Sequence, residues 1–152
     1  MKEIILMGGE KVMVDDEDFN YLKQWKWHIS WNGYAVRCSS AKNVCKTFYM
    51  QKEIMKTPKG LYTDHINRNK LDNRKENLRF CNKSQNGFNR GRQINNTSGY
   101  KGVTFEKYTN KWATRIKVNG KSKTIGRYNN PLEASIAYEK MAKEVCGEFI
   151  CV

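Results

Sequence analysis

The chain is poor in the residues that mark secreted, zinc-stapled or membrane-spanning proteins. Its five cysteines, Cys38, Cys45, Cys81, Cys146 and Cys151, include no C-x-x-C pair and no zinc-finger spacing. That excludes the common structural zinc sites, and an odd count suits a reducing compartment. No apolar run reaches membrane-spanning length and the amino terminus lacks a signal-peptide pattern, so an intracellular protein is expected. Acidic residues are scarce where they matter most: residues 65–127 hold three Asp/Glu against sixteen Lys/Arg, so the whole net charge of +13 falls there. The remainder balances at twelve of each sign. Charge polarised in this way attracts a polyanion, most commonly nucleic acid. A membrane surface is disfavoured because the basic region lacks the long apolar helical face that interfacial binding needs. Uniformly solvated lysines would not cluster so strongly.

What is present divides into short elements. With 39% hydrophobic residues in 152 the chain can bury a modest or divided core. "EIILMGGEKVMV" (3–14) reads as two apolar strands around Gly8-Gly9. "DDEDFNYLKQ" (15–24) reads as a short helix whose four carboxylates cap free N–H groups and oppose the positive end of its dipole, in preference to binding a cation. "WKWHISW" (25–31) alternates, placing Trp25, Trp27, Ile29 and Trp31 on one strand face, read as core rather than as base-stacking platforms. His28, on the polar face, suits a surface or DNA-backbone contact better than catalysis. Asn32-Gly33 turns the chain into the strands "YAVRCS" and "KTFYM", then a short helix "MQKEIMK" that ends before Pro58 and Gly60. "GRQINNTSG" (91–99) reads as a linker. Beyond it, "YKGVTFE", "KWATRIKV" and "SKTIGRY" read as strands, with Asn119-Gly120 as a hairpin signal. Pro131 opens a helix to about Val145, with Ala134, Ala137, Tyr138, Met141 and Val145 on one face, and Gly147 ends it. Trp112, Ile116 and Val118 face that helix, while Lys111, Arg115 and Lys117 line the opposite side of the sheet. The expected fold class is α+β: a small β-rich amino-terminal region, then a strand–strand–helix unit, then a three-stranded antiparallel sheet with one packed helix.

The chemistry concentrates in "DHINRNKLDNRKENLRFCNKSQNGFNR" (64–90). If "LYTDHIN" and "NLRFCN" are paired strands and "KSQNGFNR" a helix, Asp64 and Asn86 can converge on one point, with His65 facing it from another side. Phosphodiester hydrolysis needs a base for water, a task suited to imidazole near neutral pH. It also needs a cation for the charge on the leaving oxygen, and carboxylate and amide oxygens suit Mg²⁺ or Mn²⁺.

Asp-His, an asparagine twelve residues after the histidine and another nine further on resemble the HNH endonuclease family, whose site is a ββα-metal unit. The resemblance implies His65 as general base, Asp64 and Asn86 as ligands of one divalent metal, and Asn77 as the residue that orients the loop and the histidine. "DHINRNKLDNR", "ENLR" and "SQNGFNR" resemble the phage and intron-encoded homing branch, which implies the cytoplasm of a bacterial host. Many members carry "YMHR" upstream, where this chain has "YMQK" with Gln51.

Residues 99–149 resemble an Apetala-type, ethylene-response-factor-like DNA-binding domain, a family that lays its sheet in the major groove. Lys101, Arg115 and Lys117 match positions that family uses on DNA, whereas Thr104, Glu106 and Thr124 stand where plant members have arginines and a tryptophan. The expected organisation is a nuclease domain over 1–92 with its ββα-metal unit at about 60–92, a linker at 93–98 and the sheet domain over 99–152. Arg68, Arg74, Arg79, Arg90, Arg92, Lys123 and Arg127 join Lys101, Arg115 and Lys117 as expected contacts to double-stranded DNA. The expected activity is site-directed endonuclease cleavage, nicking as a monomer, with a weak dimer or a second visit needed for a double-strand break. A non-catalytic DNA-binding regulator that retains the unit is the alternative, and an RNA-binding protein a third.

Overall fold

A computed structural model describes residues 1–41, 44–118 and 120–149. Asn119 of the expected hairpin signal and Cys151 lie outside the described residues. Gly120 holds a φ of 81° and leads directly into the next strand. The architecture is α+β, in two compact units: residues 1–82 and residues 83–152.

The first unit opens with an antiparallel hairpin, β1 (Lys2–Ile5) and β2 (Lys11–Val14). Gly9, at φ 91°, supplies the left-handed residue of the turn. Alternation sends Ile4, Leu6, Val12 and Val14 into the core and leaves Ile5 and Met7 exposed. Helix α1 (Asp16–Leu22) follows. Its acidic first turn opposes the helix dipole, but the carboxylates do not cap their own helix. Asp15 Oδ2 instead accepts the Lys75 N–H at 2.8 Å, Asp16 pairs with the terminal ammonium at 3.0 Å, and Glu17 and Asp18 hold Lys75 Nζ. The cluster is therefore spent on a distant segment, 3-10 turn Lys75–Asn77, whose first N–H would otherwise lack an acceptor.

The tryptophan-rich segment also departs from expectation. Only His28–Ile29 (β3) pairs as strand. Trp27 is fully buried, its Nε1 donating to Leu22 O at 2.8 Å, and Trp25 is half-buried. Trp31, however, is 97% exposed. The alternation ends because the chain reverses at this point: Ser30 N donates to Tyr34 O at 2.9 Å and Gly33 N to Ser30 O at 2.8 Å. Gly33, at φ 84°, completes the turn. Strands β4 (Ala35–Ala41) and β5 (Val44–Tyr49) complete a sheet in the order β3-β4-β5, and helix α2 (Met50–Met55) closes over the core with Met50 and Ile54. The last pair, β6 (Tyr62–His65) and β7 (Leu78–Cys81), is antiparallel.

The second unit starts with α3 (Lys83–Phe88). Phe88 buries with Ile116, Tyr138 and Ala142, which is why this helix packs with the carboxy-terminal unit. Strands β8 (Val103–Glu106), β9 (Lys111–Val118) and β10 (Lys121–Tyr128) form an antiparallel sheet in the order β10-β9-β8. Helix α4 (Pro131–Cys146) lies on it, its amino terminus capped by Asn130 Oδ1, which accepts the Leu132 N–H at 2.8 Å. The buried stripe of α4 runs through Ala134, Tyr138 and Ala142 at i, i+4 spacing. Ala142 thus takes the place expected for Val145, which is exposed on the final turn. Gly102, at φ 72°, lies against the Tyr138 ring, so close that a Cβ there would clash with it.

Candidate active site

Asp64 and His65 end strand β6, opposite Arg79 and Leu78 of β7. Successive strand residues point to opposite faces, so burial of both side chains means that each face is covered at this end of the hairpin. Asp64 Oδ2 accepts from Arg79 Nε at 3.1 Å and Nη2 at 3.0 Å. Such a pair offsets the cost of holding a carboxylate out of water.

His65 is 3% exposed. Its Nε2 lies 3.2 Å from Asn73 Oδ1, and Asn73 is itself completely buried. The other end of the Asn73 amide, Nδ2, donates to Lys70 O at 3.3 Å, which turns the oxygen toward the imidazole. An acceptor there requires a proton on Nε2, so the basic lone pair of the neutral ring sits on Nδ1. The Tyr34 ring flanks the imidazole with centroids 5.8 Å apart. Burial pushes the His65 pKa below its usual value, against the opposing effects of the Asn73 bond and of Asp64 and Asp72. The ring is therefore neutral at pH 7.

The loop between the two strands is braced from within. Asn77 Oδ1 accepts the Asn67 N–H at 3.0 Å, and Asn77 Nδ2 donates to Asp72 O at 2.8 Å. Ile66 N donates to Asn77 O at 2.9 Å. Asp72, buried, receives Arg74 at 2.7 and 2.8 Å and Asn67 Nδ2 at 2.9 Å, and the Arg74 guanidinium holds its carboxyl below the usual carboxylate range. Backbone bonds dock the loop on β2: Met13 N donates to Leu71 O and Asn73 N to Met13 O. Asn73 and Asp72 were not singled out from the sequence. Their only signal is "LDNR" eight residues beyond the histidine, inside a run so polar that burial of these two side chains could not be told from solvation.

Asn86 lies half-buried on α3, in the second unit. Among the described residues no group of three or more His, Cys, Asp or Glu could cage a metal. A carboxylate and an amide oxygen are hard donors that suit an ion completing its shell with water and substrate phosphate, as Mg²⁺ does. The donor set therefore fits such an ion. Cys81 offers no thiolate: burial, with Asp64 adding to it, pushes its pKa up to about 11. Gln51, at the position of the upstream signature, is buried on α2.

The expected DNA-contacting cations fall into three states. Arg79 and Arg74 are paired with Asp64 and Asp72, and Arg115 and Arg127 both pair with Glu106, Arg127 Nε at 2.7 Å. Arg92 Nη1 donates to Gly99 O at 2.8 Å, and Lys101 Nζ to Phe88 O at 2.5 Å, where it meets the carbonyl end of α3. Arg68, Arg90, Lys117 and Lys123 are exposed.

Comparison with known proteins agrees with this geometry. The family model described as HNH endonuclease matches residues 56–88, which include Asp64, His65, Asn77 and Asn86. A protein of Acanthamoeba polyphaga mimivirus named as an uncharacterized HNH endonuclease is 32% identical over 142 residues, spanning 93% of this chain and 73% of that protein. Protein 3.8 of Escherichia phage T7 is 33% identical over 92 residues, spanning 60% of this chain and 75% of that protein. No solved structure gives a significant match.

Proposed function

The chain belongs to the HNH endonuclease family, and we propose that it is a metal-dependent, site-directed endonuclease of the homing type that nicks double-stranded DNA as a monomer. The observation that carries this reading is the buried, neutral His65, held through Nε2 by Asn73 beside the Asp64 carboxylate. His65 Nδ1 is the general base: it accepts a proton from the water that attacks the scissile phosphorus. Asn73 fixes the ring and its tautomer, and Asn77 holds the loop that carries them both. Asp64 is a ligand of one divalent ion, Mg²⁺ or Mn²⁺, and Asn86 is the second, by its place nine residues after Asn77 in the matched segment. When bound, that ion neutralises the scissile phosphate and the charge on the leaving oxygen. Arg79, already paired to Asp64, keeps the carboxylate ionised and oriented.

The carboxy-terminal sheet is proposed as an Apetala-type DNA-binding domain that adds affinity and site choice. Lys117 and Lys123 project from it, while Arg115 and Arg127 meet Glu106, which reduces the charge this face offers to phosphate. The proposed nuclease domain runs to residue 92, with a linker at 93–98, in the cytoplasm of a bacterial host. The test is incubation of supercoiled plasmid carrying candidate sites with the protein in Mg²⁺, in Mn²⁺ and in EDTA. Metal-dependent open circles support a monomeric nickase, and linear product would point to paired cuts. No conversion in either metal, despite tight binding, would favour the non-catalytic regulator.

A further inference from the structure

We propose that Trp31 is a base-stacking contact to DNA beside the scissile phosphate; this rests on the nuclease reading and adds a recognition residue to it. Tryptophan is the costliest side chain to leave in water, yet Trp31 is 97% exposed while Trp27, four residues earlier, is buried in the same unit. The turn that carries it is not loose. Ser30 Oγ accepts the Tyr34 N–H at 3.1 Å and donates at 2.5 Å to Asn32 Oδ1, in addition to the backbone bonds that close Ser30–Tyr34. An indole presented on a rigid turn loses little conformational freedom on binding, which favours a role as a contact residue.

The turn is also tied to the candidate active site. Lys70, in the loop after His65, donates from Nζ to Asn32 O at 2.7 Å, and the same ammonium lies 4.8 Å from the Tyr34 ring centroid. Tyr34 in turn packs against the His65 imidazole. Trp31 therefore stands on the same small structure that holds the general base, next to residues that lie in the strongly basic part of the chain. A DNA strand placed with its phosphate at His65 and its backbone along Lys70 and exposed Arg68 brings neighbouring bases to this indole. Stacking on a base is sequence-tolerant and strong enough that loss of the ring weakens binding roughly tenfold or more.

The experiment uses the full chain and a 30-base-pair duplex that spans a mapped nick, with 2-aminopurine at each position in turn, bound in EDTA to prevent cutting. The expected result is a fluorescence change at one position within a few nucleotides of the nick. It is lost in Trp31→Ala, largely kept in Trp31→Phe, and accompanied by at least about tenfold weaker binding in Trp31→Ala. In Mg²⁺, Trp31→Ala should raise KM and leave kcat near that of wild type. If Trp31→Ala binds and nicks as wild type does, the stacking role is wrong while the nuclease reading stands. If Trp31→Ala instead changes the sedimentation coefficient and not the DNA affinity, the indole belongs to a protein interface and the proposal fails. If the wild type neither binds nor nicks DNA, the nuclease reading fails and the stacking role falls with it.

Discussion

Replacing Asn73 by alanine separates the roles of fold and chemistry at His65. The Asn73 amide is fully buried and makes two side-chain bonds, to His65 Nε2 at 3.2 Å and to Lys70 O at 3.3 Å. Both are longer than the common N–H···O distance of about 3 Å, so each stands at the weak end of its class. Losing them leaves an imidazole N–H and a carbonyl short of a partner, at about 1 kcal/mol each, so Asn73→Ala should lower stability by about 2 kcal/mol. The catalytic effect should be separate and larger than that loss of folded protein explains. With Nε2 no longer held, the ring can rotate or move its proton to Nδ1, and kcat should fall by roughly 10- to 100-fold with little change in KM. The assay is single-turnover nicking at a temperature where wild type and variant are both folded. It is paired with long-range ¹H–¹⁵N spectra of the imidazoles, which are simple to assign because the chain has two histidines. In wild type, His65 should show the proton on Nε2; in Asn73→Ala the tautomers should mix. A wild-type ring protonated on Nδ1, or an Asn73→Ala enzyme with unchanged kcat, would refute the argument.

Other perturbations test other joints. Arg79→Met leaves the Asp64 carboxylate buried without its partner, and should destabilise the metal-free protein by about 3 kcal/mol, with Mg²⁺ restoring part of the loss in thermal unfolding. Asp72 has its folded-state pKa held down by Arg74, so its contribution to stability is present above the unfolded carboxyl value and is lost as pH falls through the folded value. Asp72→Asn should therefore be less stable than wild type at pH 7, and urea titrations should show the gap closing below about pH 4. Gly102→Ala forces a Cβ against the Tyr138 ring at a positive φ and should cost the second unit about 1–3 kcal/mol, measured by thermal unfolding. If exposed Arg68, Arg90, Lys117 and Lys123 neutralise phosphates, replacing any one by alanine should reduce the slope of log K against log salt by about one unit, and an unchanged slope would remove that residue from the footprint.

Local patterns were legible where periodicity or turn chemistry fixes them. The β1–β2 hairpin follows from alternation around Gly9, the β6–β7 pair from "YTDH" and "LRFC", and the three-stranded sheet with its helix from strand-length apolar alternation before Pro131. What was not legible is where long-range partners take over. The DDED carboxylates satisfy generic capping logic, yet Asp15 caps a turn sixty residues away, which no local rule can foresee. Trp31 continues the alternation of Trp25, Trp27 and Ile29, but a tight turn begins one residue before it and sends it to solvent. At the site, His65, Asp64 and Asn77 stood out by residue type and spacing. Asn73 was hidden among seven asparagines of residues 64–90, because only burial tells it from the rest. Likewise, the basic run announced a polyanion partner, but not that Glu106 would occupy two of its arginines.

The most direct test of the account is His65→Ala, assayed on supercoiled plasmid in Mg²⁺ with DNA affinity measured in parallel. The account predicts that the variant binds within a fewfold of wild type and yields no open circles in the time wild type converts the substrate fully. Nicking by His65→Ala at the wild-type rate would show that the imidazole is not the base, and the mechanism built on it would fall.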